Sequence, residues 1–217
     1  MSIRDLVRVL PVLARPLPGF DPDGAPERPA ELFVVWLREA IAAGVVEPHV
    51  MTLGTVDDDG WPDARIVMLR EVDDRGWHFA TDAVSAKGRQ LAAHPVACLV
   101  FYWPEQGRQV RVRGRVVALD RADCAQDFLS RSPLSRAAAL AGPQSAVLPT
   151  RPDLDRAVSE AERRVADAPE TVFERHTVYA LSPSSVEFWQ GDPGRRHVRL
   201  HYQVAEDGTW TRELLWP

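Results

Sequence analysis

Lysine is almost absent from this 217-residue chain: of its 26 basic residues, Lys87 is the one lysine and the other 25 are arginine. Cysteine is scarce as well. Cys98 and Cys124 are too few for a disulfide framework and lack metal-site spacing. Cys98 lies in the apolar run VACLVFYW and reads as a buried small hydrophobe. No run reaches the roughly 18 apolar residues of a membrane span. The N-terminal MSIRDLVRVLPVLARPLPGF has no apolar region followed by a small-residue cleavage site. Together these absences predict a soluble, cytoplasmic protein with no membrane partner. A basic excess is also missing. The formal charge of −5 argues against a nucleic-acid partner, and the alternating arginines of RQVRVRGRV read as a solvated or interface face. There is no glycine-rich dinucleotide fingerprint, Walker loop, nucleophile elbow or paired-histidine zinc motif. His197 and His201 are four apart on a strand pattern and do not read as a metal pair, so no metal is expected.

The residues that are present organise themselves clearly. The length fits one domain, and 45% hydrophobic residues with seven tryptophans can bury a sizeable core. Residues 1–29 read as an N-terminal arm, extended and Pro/Gly-rich from residue 10, and 30–217 as the domain proper. In PAELFVVWLREAIAAG, Phe33, Trp36, Leu37, Ala40 and Ile41 follow the spacing of an amphipathic helix, with Gly44 placed to end it. The texture then changes to strands. HVMTLGTVD and DARIVMLREV flank DDGWP, a hairpin signal. WHFAT, a short helical SAKGRQLAAH, VACLVFYW and RQVRVRGRVVAL follow, with Gly114 as a candidate bulge. Residues 120–142 and 151–168 read as helices, and HTVYALS, SVEFWQ and RLHYQVAEDGTWTREL as three final strands. Strands in close hairpin succession with helices inserted predict an antiparallel barrel in an α+β domain.

The chemistry-bearing residues gather at strand ends. Arg65 opens one strand and Thr81 closes another, just before Ser85 and Lys87. Arg108 and Gln109 open a third strand, PQSAV offers Gln144 and Ser145, and EFWQGDPGRRHVR supplies Trp189, Arg195, His197 and Arg199. Cations and hydroxyls suit a phosphate dianion, amides suit ring carbonyls, and an indole gives an apolar wall. The set is an inventory for a phosphorylated aromatic ligand. A lysine is a compact point charge where arginine is a planar fork, which gives the lone Lys87 a reason to exist in a tight phosphate site.

The order and spacing of ARIVMLR, FAT…SAKG, RQVRVRG, FLSRSPLS, QS and SVEFWQG…R.H.R resemble the pyridoxamine 5′-phosphate oxidase family from about residue 30 to the last residue. The resemblance implies a split β-barrel with flanking helices, acting as a homodimer with two FMN molecules at the interface. It implies that Arg65 and Lys87 hold the FMN phosphate, with Thr81 and Ser85 nearby. Ile66, Val67, Met68 and Leu69 then run along the flavin edge. Gln109, Gln144 and Ser145 bond the flavin from the neighbouring chain's side, and Trp189 and Arg199 complete the site. Arg70, Arg131, Ser135, Arg195 and His197 fall at substrate positions, with Arg195 and His197 over the reacting carbon. The implied chemistry is hydride transfer from a small aromatic substrate to FMN and then to dioxygen, giving hydrogen peroxide.

Departures from the family pattern concentrate on the substrate side. The vitamin-B6 members have lysine at the position of Arg70, tyrosine at Asp127 and an aspartate at Val198, and their arm carries an Arg-x-x-Tyr segment missing here. An aspartate at 127 is expected to repel a substrate phosphate. These differences favour a phenazine-type or other specialised-metabolite oxidase. A pyridoxine/pyridoxamine 5′-phosphate oxidase making pyridoxal 5′-phosphate is the alternative, and a non-catalytic flavin-binding protein the second alternative.

Overall fold

The computed structural model describes residues 1–217. Within the arm one short helix, α1 (Ile3–Arg8), forms; the rest of the segment up to Arg28 is irregular. Helix α2 (Pro29–Ala42) starts with proline at its first turn, where the missing N–H costs nothing. It ends as expected at Gly44, whose φ of 72° is easy only for glycine. Its buried face is Leu32, Phe33, Trp36 and Ala40. Ile41, expected inside, is 58% exposed, because the face is centred one residue earlier than the spacing suggested.

The strands are β1 (Val50–Val56), β2 (Pro62–Asp73), β3 (Gly76–Asp82), β4 (Val96–Trp103), β5 (Arg108–Ala118), β6 (His176–Gln190), β7 (Val198–Val204) and β8 (Trp210–Leu214). Their order in the sheet is β3-β2-β1-β4-β5-β6-β7-β8, and antiparallel pairing of β3 with β6 closes the first six into a barrel. Helix α3 (Ala86–Ala93) follows β3, and α4 (Arg121–Ser130), α5 (Pro133–Leu140) and α6 (Arg151–Asp167) lie between β5 and β6. No helix is long and apolar enough to cross a membrane.

Three expectations are corrected. The helix read over 120–142 is two, because Ser132 caps a new helix and Pro133 occupies its first turn. HTVYALS and SVEFWQ form one strand. Residues 176–181 of β6 pair with β3 and 185–190 with β7, so Pro183 falls between the two pairings, where its missing N–H breaks neither ladder. The last segment splits into the β7–β8 hairpin. Of the cysteines, Cys124 is the buried one and Cys98 is half-buried.

Contacts divide the chain into two compact units, described in turn: Met1–Thr52 with Leu99–Arg113 and Pro183–Pro217, and Leu53–Cys98 with Gly114–Ser182. The first is held by aromatic packing. Trp36 meets Phe188 edge-on at 5.2 Å and Phe33 packs on Phe101 at 4.8 Å. Arg108, 2% exposed, lies over the Trp36 ring at 4.2 Å, bonds Gln190 at 2.9 Å and pairs with Glu39. The second unit is built on the β2–β3 hairpin and its pairing with β6. Phe79 stacks on Tyr179 at 5.6 Å across that pairing.

Gly76 makes the closure possible. At its φ of 125° a Cβ would sit 2.0 Å from the Leu181 carbonyl oxygen. Gly60, in the β1–β2 turn, has φ 84° but open space around it. Gly60→Ala is therefore expected to cost about 1 kcal/mol, the left-handed penalty alone. Gly76→Ala, which must also displace β6 backbone, is expected to cost about 3 kcal/mol or more. Urea denaturation of the two variants checks the difference; equal losses would contradict it.

Candidate active site

The second unit contains a cavity of about 910 Å³ walled by β2, the end of β3, the start of α3, and the α4–α5 segment with the loop that follows it. One end is polar by construction. Ser85 is the N-cap of α3, fully buried, and its Oγ accepts from Gly88 N–H. Gly88 is required here, since a Cβ would sit 2.3 Å from the Ala83 carbonyl oxygen. Lys87 therefore lies in the first turn, where free N–H groups and the helix dipole already favour an anion. Its ammonium donates to Thr81 Oγ1 at 3.0 Å, Gln144 Oε1 at 3.2 Å and Ser85 Oγ at 3.4 Å. All three partners are neutral. Burial pulls the Lys87 pKa below its ordinary value, and the nearby Arg65 cation adds to the effect. Ser145 closes this end by accepting from Ala86 N–H at 3.2 Å. Its φ of 72° is a left-handed conformation that costs a serine energy.

Arg65 projects from β2 into the same wall. It donates to Thr55 Oγ1 at 2.5 Å and Gln90 Oε1 at 3.0 Å and pairs with Asp63, so its charge is partly offset. Ile66, Val67 and Met68 continue the wall along β2, and Ile66 and Met68 are 64% and 49% exposed. Leu69 does not line the cavity; it pairs with Phe79 in the ladder.

The register slips just beyond it. Leu69 faces Phe79 but Glu71 faces His78, which leaves Arg70 as the extra residue of a β-bulge. Bulges re-aim a side chain, and Arg70 Nε meets Asp127 Oδ1 at 2.7 Å. The other oxygen of Asp127 meets His176 Nε2 at 2.7 Å. Burial alone raises the Asp127 carboxyl, but the hydrogen bonds from His176 and Arg70 outweigh it and hold it below the ordinary carboxylate range. Arg131, between α4 and α5, is half-buried and makes no side-chain hydrogen bond or ion pair; burial lowers its pKa. Ser135 accepts from Ser132 Oγ at 3.1 Å and keeps its own hydroxyl hydrogen for a ligand. Arg131 and Ser135 both line the cavity.

Five expected site residues belong to the other unit. Trp189 and His197 lie with ring centroids 5.0 Å apart. His197 Nδ1 accepts from Asp192 N–H at 3.0 Å, which assigns the neutral tautomer and leaves Nε2–H as a donor. Arg195 is exposed with φ 65°. Arg199 bonds Glu187 at 2.8 Å and the Trp216 carbonyl at 2.7 Å. Gln109 is half-buried on β5. Sequence reasoning missed His176, which lines the cavity, and Thr55 and Gln90, which hold Arg65 beside it. The Asp127 departure marked the neighbourhood of His176, but nothing in the sequence links positions 49 residues apart.

Comparison with known proteins shows which family the chain resembles. Residues 37–190 match the family model described as pyridoxamine 5′-phosphate oxidase. Residues 176–217 match that of the pyridoxine 5′-phosphate oxidase C-terminal dimerisation region. The pyridoxine/pyridoxamine 5′-phosphate oxidase of Pseudomonas paraeruginosa (strain DSM 24068 / PA7) is 43% identical over 201 residues, 92% of this chain and 93% of its own. The protein of the same name from Polynucleobacter asymbioticus is 41% identical over 192 residues, 88% and 90% of the two chains. The crystal structure of PhzG from Burkholderia lata 383, in complex with tetrahydrophenazine-1-carboxylic acid, superposes with a TM-score of 0.83 at 31% identity, covering 90% of this chain and 96% of that one. An FMN-binding protein of Nostoc punctiforme shares the fold, with a TM-score of 0.73 at 18% identity over 89% of this chain and 100% of that one. This chain belongs to the pyridoxamine 5′-phosphate oxidase family.

Proposed function

We propose that the protein is an FMN-dependent oxidase of a small anionic aromatic substrate, acting as a homodimer. The observation that carries the reading is Lys87: a half-buried ammonium in the first turn of α3, surrounded by neutral oxygens and opening on a cavity large enough for a ligand of this size. A half-buried cation with no ion-pair partner is costly; Asp82 and Asp63 attract Lys87 without pairing with it, and a phosphate supplies a charge in contact. Arg65, Thr81 and Ser145 add donors around it. The backbone of Ile66–Met68 presents a straight wall for a planar ring system. When bound, FMN supplies the hydride acceptor, and dioxygen restores it with release of hydrogen peroxide.

The protein's own groups bind and orient. Arg131 and Ser135 offer a second anion grip in the cavity; the family resemblance gives the Nε2–H of His197 and the guanidinium of Arg195 the role of donors to the reacting substrate. No side-chain nucleophile is required. Asp127 sides with a specialised metabolite over a B6 vitamer, because it stands beside the second grip as a carboxylate. The names of the relatives favour the second reading, oxidation of pyridoxine or pyridoxamine 5′-phosphate. A peroxide assay on FMN-loaded protein separates them. Turnover of pyridoxamine 5′-phosphate would support the second reading. Its inertness alongside turnover of a reduced phenazine carboxylate supports the first, and bound FMN without any oxidase activity would contradict both.

Two predictions follow from Lys87. Lys87→Ala is expected to weaken FMN binding on the order of 10- to 100-fold, the worth of a charge-assisted hydrogen bond, and Lys87→Arg less; flavin fluorescence quenching measures both. Wild-type affinity in both variants would remove the role. The second concerns pH. The free lysine has a lowered pKa and a bound phosphate raises it, so binding takes up a proton between the two values. FMN affinity is therefore expected to fall as pH rises through the alkaline range toward the ordinary lysine value of about 10.4. The Lys87→Arg variant should show little such fall, since arginine stays charged.

A further inference from the structure

Most charges lining the cavity are already spoken for. Asp153 accepts from the hydroxyl of Thr150, the N-cap of α6, and pairs with Arg156. Asp82 faces Arg175 at 3.4 Å, and Arg65 holds Asp63. At the end formed by β2, α4 and α5, Arg70 and Asp127 cancel each other. Both carboxylate oxygens of Asp127 are used, one by Arg70 and one by His176, so the group is fixed in place. The β-bulge at Arg70 turns that residue toward Asp127. What remains at this end is Arg131, half-buried and unpaired, with the Ser135 hydroxyl among the cavity residues.

We propose that Asp127 is the specificity-determining residue of the site. By pairing with Arg70 it leaves Arg131 as the one cation at this end without an ion pair, so the substrate is anchored here by one negative charge, a carboxylate, and not by a phosphate dianion. The inference rests on the functional reading above and narrows it to aromatic carboxylates. The physical basis is that attraction to one net positive charge doubles for a dianion, while the cost of desolvating the ion rises with the square of its charge, so a second free cation would be needed to offset it. A carboxylate matches the fork of one guanidinium in charge and geometry.

Two ring-matched acids test this: 2-naphthoate and 2-naphthyl phosphate, the latter a dianion at pH 8. Their binding to FMN-loaded protein is read from the change in flavin absorption. Wild type is expected to bind the carboxylate on the order of ten-fold tighter than the phosphate. Asp127→Asn frees Arg70 and should tighten the phosphate on the order of ten-fold, and the carboxylate by less. Arg70→Gln should do the opposite, weakening the phosphate more than the carboxylate. A strut that merely ties β2 to α4 predicts instead that both variants weaken both acids alike, and that result would overturn the proposal. So would a wild-type preference for the phosphate, or no binding of either acid. If the wild type fails to retain FMN, the functional reading itself falls; if FMN is held equally by all three proteins and the preferences do not move, only this inference falls.

Discussion

The pairing of β3 with β6 is the constraint on which the site depends. It sets Thr81 opposite Thr177 and Asp82 opposite His176. Thr81 is one of the three oxygens around Lys87, and His176 holds Asp127. Two polar clusters that are far apart in sequence thus hang from adjacent positions of one ladder. Gly76 permits the approach, because any side chain there meets the backbone of Leu181. The fold makes the distance between the clusters a property of strand register, which cannot slip without turning a buried face outward.

Charge accounting explains why one lysine survives in an arginine-rich chain. Arg65, Arg108 and Arg199 each use several guanidinium nitrogens on fixed partners, as a planar fork does well. Lys87 is different. Its partners are hydroxyls and an amide, and its cation makes no ion pair. The α3 N-terminus points the same way. At the far end Arg131 is likewise unmatched, whereas Arg70 is cancelled by Asp127. The cavity therefore has a cation without an ion pair at each end, Lys87 at one and Arg131 at the other.

Much of this was legible in the sequence where the signal was local. The Asp-Gly turn between β1 and β2, the α2 boundaries and the short helix that begins at SAKG all came from adjacent residues. Motif order supplied the cavity residues Arg65, Thr81, Lys87, Arg131, Ser135, Gln144 and Ser145, which the structure gathers in one unit. Features that depend on pairing were not legible. HTVYALS and SVEFWQ read as two strands, and only the change of partner from β3 to β7 on either side of Pro183 shows why they are one. The bulge at Arg70 is a one-residue slip with no compositional mark. Asp127 looked repulsive in isolation; its two partners become visible only when β2 and β6 flank α4.

The central claim is that the Lys87 end of the cavity recognises a phosphate on a flavin. Comparing FMN with riboflavin, which has the same ring system without the phosphate, tests it directly. Titration of the purified protein with each, followed by flavin fluorescence, should give an affinity for FMN on the order of 100-fold or more above that for riboflavin. Equal affinity for the two, or binding of neither, would contradict the account.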